Sequence, residues 1–161
     1  MRSRMISKAL FAAAALCVAA VPFLAQAQAN GAVETTLEQR KVVRAVNGRE
    51  WLVPADTVKP GDVIEYAATY RNTTREPVRN LEATLPIPAH TELVPGSARR
   101  AKASLDARDF GDIPLKRTAI REGRQVEELV PYRDYRYLRW YAGELGAEMS
   151  VTFTARVKVV E

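Results

Sequence analysis

From Ser150 to Val159 the chain alternates without interruption. Val151, Phe153, Ala155, Val157 and Val159 are apolar, and Thr152, Thr154, Arg156 and Lys158 are polar. Period two is the signature of a strand buried on one face only. A helix built from this stretch would spread the same apolar residues around its whole circumference.

The same period recurs upstream. Ile64, Tyr66, Ala68 and Tyr70 fall on one face of Val63–Asn72, with Glu65, Thr69 and Arg71 opposite. Leu81, Ala83 and Leu85 alternate with Asn80, Glu82 and Thr84 until Pro86 and Pro88 end the run, because proline cannot donate to a ladder. Asn47-Gly48 predicts a tight turn joining Lys41–Val46 to Arg49–Val53. Thr91–Val94 and Ala101–Leu105 read as short strands, and Lys116–Ile120 pairs with Gln125–Val130 as a hairpin. Gly143 and Gly146 read as a turn before the last strand. No window carries a helical period. Short strands separated by regular turn signals predict an all-β, antiparallel β-sandwich.

The N-terminus reads as an address. Arg2, Arg4 and Lys8 precede an apolar run from Ala9 to Ala25, which ends in Ala25-Gln26-Ala27. Positive start, short apolar run and small-x-small site describe a secretory signal peptide over residues 1–27. A second such site, Ala27-Gln28-Ala29, moves the cut by two residues. Leu16 before Cys17 is too large for a lipoprotein site, so Cys17 is read as an apolar residue of the signal. The division expected is a signal peptide at 1–27, a leader and first strands at 28–49, and one sandwich domain at 50–161. The destination is periplasmic, extracellular or envelope-associated, with no transmembrane span in the mature form.

Composition narrows the chemistry. The 161 residues include one Cys and one His, which leaves no intrachain disulfide and little for a transition-metal site. Net charge is +5, but Arg2, Arg4 and Lys8 supply three of those charges, so nucleic-acid binding is not expected. His90 lies in a turn, and no G-x-S-x-G elbow surrounds Ser97, Ser104 or Ser150. Asp106, Asp109 and Asp112 lack the spacing of a calcium loop. Glu127 and Glu128 face opposite sides of a strand. Lys41 and Lys158 sit on charged faces, which argues against an intramolecular isopeptide bond. The expectation is therefore no enzyme, no cofactor and no metal. The alternatives are an exported hydrolase or a calcium-binding envelope protein.

One segment carries surplus chemistry, Tyr132–Tyr141. If Leu138 and Trp140 point inward, Arg133, Tyr135, Tyr137, Arg139 and Tyr141 share the outer face. Tyr and Arg together are typical of binding surfaces. This face is the candidate site for an envelope protein or glycan.

Three further pieces lie in order. They are Lys59-Pro60-Gly61-Asp62-Val63-Ile64-Glu65-Tyr66 with Tyr70-Arg71-Asn72-Thr73, then Leu85-Pro86-Ile87-Pro88 with Thr91-Glu92-Leu93-Val94-Pro95-Gly96-Ser97, and then Trp140-Tyr141-Ala142-Gly143-Glu144-Leu145 with Ser150–Val157. Together they resemble the conserved repeat domain of bacterial envelope proteins, domain of unknown function eleven, over roughly residues 50–160. The resemblance implies an immunoglobulin-like sandwich and transfers no catalytic residue. It is carried here by a single copy.

Overall fold

The computed structural model describes residues 31–161. The expected signal peptide, Cys17 and both small-x-small sites lie outside the described residues. The fold is all-β, and every strand pairing is antiparallel. Among the described residues eleven strands run in chain order: β1 Val33–Arg44, β2 Glu50–Pro54, β3 Val63–Asn72, β4 Val78–Pro86, β5 Thr91–Leu93, β6 Lys102–Ser104, β7 Gly111–Asp112, β8 Lys116–Arg121, β9 Arg124–Leu129, β10 Tyr137–Leu145 and β11 Ser150–Val159. They form a five-stranded sheet ordered β2-β1-β3-β11-β5, a four-stranded sheet ordered β4-β10-β6-β7, and a separate β8-β9 ribbon. Two sheets sharing one apolar core is an arrangement consistent with a β-sandwich.

The alternation places the core. Ile64, Ala68 and Tyr70 from β3 and Ala155 and Val157 from β11 meet Leu81, Ala83 and Leu85 from β4 and Leu138 and Trp140 from β10. Tyr66 and Phe153 pack against this cluster half-buried. Trp140 stacks on Phe153 across the two sheets, with ring centroids 5.2 Å apart and planes 19° apart. The indole Nε1–H donates to the Arg99 carbonyl at 2.9 Å, so the buried ring leaves no polar atom unpaired.

The turns form where expected, with one revision. Gly48 turns β1 into β2 with φ +81°, and Gly96 follows Pro95 with φ +75°. The ribbon closes through Glu122 and Gly123, both with positive φ, the conformation of a tight two-residue hairpin. Gly143, however, does not belong to a turn. It is a bulge inside β10, where the register steps from Tyr141↔Glu82 to Gly143↔Leu81. Its φ of +73° shifts the phase by one residue. Leu145 is thereby buried and Glu144 exposed. The turn itself runs from Gly146 to Met149. Residues 28–49 are read above as a leader and first strands. Val33–Arg44 is one strand, paired with β3 over Val33–Val42, so the described part of that leader belongs to the larger sheet.

Asn72 explains the strand-end Asn-Thr pair. It is fully buried. Its Nδ2 donates to the carbonyls of Glu76 at 2.7 Å, Leu145 at 3.2 Å and Gly146 at 3.0 Å, and its Oδ1 accepts the Thr74 amide at 2.9 Å. One side chain therefore ties the end of β3 to the β3–β4 turn and to the β10–β11 turn. Asp62 works similarly at the other end. It accepts the Lys59 amide at 3.0 Å and pairs with Lys41 Nζ at 2.7 Å.

Candidate functional site

The expected outer face divides into three residues that share it and two that do not. Tyr137, Arg139 and Tyr141 lie on the face of β10 opposite Leu138 and Trp140. Arg133 and Tyr135 do not join them, which corrects the predicted face. Residues Tyr132–Asp134 form a single 3-10 turn, so the two-residue period does not extend back past Tyr137. Arg133 is exposed in that turn, and its carbonyl accepts Arg136 Nη1 at 2.7 Å. Tyr135 is wholly buried. Its hydroxyl accepts the Leu115 amide N–H at 2.7 Å, and burial raises the phenol's pKa.

Around Arg139 the sheet surface becomes a groove of about 530 Å³. β4 contributes Glu82, β6 contributes Lys102, and β10 contributes Arg139 and Tyr141. Arg100 and Arg108 also line it, and Phe110 comes from the loop between β6 and β7. Register explains the assembly. Arg139 stands opposite Thr84 on one neighbour and Lys102 on the other.

Arg139 is held in place. Its Cζ lies 3.7 Å from the Phe110 ring centroid, a cation–π contact. Its Nε donates to Thr84 Oγ1 at 3.3 Å, and Nη1 lies 3.5 Å from Glu82. The Tyr141 hydroxyl donates to Asn80 Oδ1 at 3.1 Å. Four cations face one groove carboxylate, Glu82, with Asp112 lying 4.0 Å from Lys102. Arg100 and Arg108 take part in no ion pair among the described residues. Such a surface attracts a negatively charged group and offers Phe110 and Tyr141 as apolar contacts beside it.

Alternation puts Glu82 on the outer face of its strand, but no sequence signal joins it to Arg100, Lys102, Arg108 and Phe110. β6 is three residues long, too short for alternation to register. Phe110 reaches Arg139 from a loop whose course periodicity does not describe.

The other expected chemistries are distributed as follows. His90 is an exposed loop residue with φ +58°. Ser97 Oγ donates to the Val94 carbonyl at 2.7 Å and accepts the Arg156 amide at 3.0 Å. Asp106 accepts the Arg108 amide at 2.9 Å and, more weakly, that of Asp109. Those amide bonds, the Arg108 one foremost, hold its carboxyl below the usual range. Among the described residues no cluster of His, Cys, Asp and Glu is placed to hold a metal ion. No described helix is long and apolar enough to cross a membrane. Glu127 pairs with Lys116 on one face of the ribbon, and Glu128 with Arg117 and Arg121 on the other.

No protein-family model, curated protein or solved structure matches the chain.

Proposed function

We propose that the chain is an exported, non-enzymatic module of the bacterial cell envelope. In this reading it is an immunoglobulin-like sandwich of the conserved-repeat kind, and it works by holding a negatively charged ligand in the groove around Arg139. One observation carries the binding reading. Arg139 is clamped between Phe110, Thr84 and Glu82 with Lys102 beside it. A pre-positioned guanidinium loses little side-chain entropy on binding an anion.

The export half rests on Arg2, Arg4, Lys8, the apolar run and Ala25-Gln26-Ala27. Support for the family half comes from the work its motif residues do: Asp62 and Asn72 cap the ends of β3, and Gly143 makes the bulge that buries Leu145.

Binding is tested by titrating the protein with dextran sulfate and with neutral dextran at low and high salt. Dextran sulfate should bind, weaken with salt, and lose about tenfold in affinity on Arg139→Ala. Equal binding of neutral dextran, or none of either polymer, refutes the reading. Intact residues 1–27 on protein from the envelope fraction would refute export.

A further inference from the structure

The edge of the larger sheet is only half covered. β1 pairs with β3 over Val33–Val42, but with β2 only over Arg40–Arg44. Among the described residues no strand lies on the other side of Val33–Gln39. That leaves about 24 Å of backbone edge open to another strand. Its two faces differ. Glu34, Thr36 and Glu38 point to solvent, while Val33, Thr35 and Leu37 point toward the core and are half-buried. Thr35 Oγ1 is buried there with no hydrogen-bond partner among the described residues.

A second unpartnered element is the β8-β9 ribbon. Every side chain in it is exposed except Ala119 and Glu128, which are half-buried. Ile120 is 74% exposed. A two-stranded ribbon is marginal by itself and gains from a third strand. On one face Arg117 and Arg121 share the single carboxylate of Glu128, and Arg124 stands opposite Arg121, which leaves that face cationic.

The two elements fit each other in one register. Setting Thr36 opposite Ala119, antiparallel, brings Glu34 to Arg121 and Glu38 to Arg117 on one face. On the other it brings Ile120 to Thr35, between Val33 and Leu37. The corresponding symmetric registers of each element with itself set like charges opposite each other. Two β1 edges crossed at Thr36 oppose Glu34 to Glu38, and two β8 edges crossed at Ala119 oppose Arg117 to Arg121. A slip of one residue turns Ile120 to solvent.

We propose that the β8 edge of one copy adds to the β1 edge of a second copy, so that the chain associates with itself by strand addition. Each copy carries one donor and one acceptor, so the contact repeats between copies.

The test is a charge exchange, read by sedimentation and light scattering on the exported full chain. The unmodified chain should run as two or more copies at micromolar concentration. Glu34→Arg with Glu38→Arg, and separately Arg117→Glu with Arg121→Glu, should each weaken association by about tenfold or more. Mixing the two variants should restore it, because every contact is again complementary. Circular dichroism checks that both variants stay folded. If the arginine exchange melts the ribbon by removing the Glu128 pairs, Ile120→Asp leaves those pairs intact and should disrupt association equally. A monomer at every concentration, association that neither exchange alters, or a mixture that stays monomeric overturns the proposal.

Discussion

The hydroxyl of Tyr135 accepts the amide N–H of Leu115 at 2.7 Å, in the core. Tyr135→Phe keeps the ring and removes the acceptor. It should cost about 1–2 kcal/mol, because the Leu115 amide then lacks a partner. Tyr135→Ala adds a cavity and should cost about 3–5 kcal/mol. Urea denaturation of the three proteins measures both steps. A Tyr135→Ala variant as stable as the parent would place this ring outside the core after all.

The Trp140–Phe153 stack makes a second expectation. Trp140→Ala removes a buried ring and strands the Arg99 carbonyl, and should cost about 3–5 kcal/mol. Tyr141, next in sequence and 67% exposed, should change stability by about 0.5 kcal/mol or less on truncation to Ala. Denaturant midpoints decide it, and equal losses at the two positions would mean the face assignment of β10 is wrong.

That contrast also marks how far the sequence alone could be read. Alternation places Leu138 and Trp140 inside and Arg139 and Tyr141 outside, and the structure agrees. The pattern fails at Tyr135 because it presumes continuous strand, and the turn at Tyr132–Asp134 breaks the phase. The turn expected at Gly143 fails for a different reason, since that residue is a bulge inside β10 that carries the strand on to Leu145. Arg139 was legible as a candidate, but its partners were not. Phe110 lies 29 positions away in the chain, and only tertiary folding brings its ring under the guanidinium.

Asn72 offers a third expectation. Its buried Nδ2 serves three carbonyls that belong to two different turns. Asn72→Ala should cost about 2–4 kcal/mol, the sum of lost bonds and unpaired acceptors. Asn72→Asp should cost more at neutral pH, since a carboxylate would face those three carbonyl oxygens. Acidification should recover part of the Asp variant's deficit, because the protonated acid donates one hydrogen bond again. Thermal melts at two pH values measure this. An Asp variant more stable than the Ala variant at neutral pH would contradict the donor role.

The last expectation concerns acid. Glu50 is held below the usual glutamate range first by its hydrogen bond from Arg44 and next by that from Arg156. Glu128 is held down by Arg117 and then Arg121. For Asp62, burial pushes the carboxyl upward, but the hydrogen bonds from Lys41 and the Lys59 amide outweigh it and the net shift is downward. A carboxyl with a lowered folded pKa binds its proton more weakly when folded than when unfolded. Its stabilisation is therefore complete above the unfolded value and disappears as pH falls through the folded one. The melting temperature should thus be level from neutral pH down to the ordinary carboxylate range and drop below it, toward about pH 3. The Arg156 bridge tests the origin of the drop, because Arg156 joins Glu50 to Glu65 at 2.7 Å on each side. Glu50→Gln should lower the melting temperature at neutral pH and make the fall in acid shallower. A variant that falls as steeply as the parent would show that Glu50 and its two arginines do not contribute to acid sensitivity.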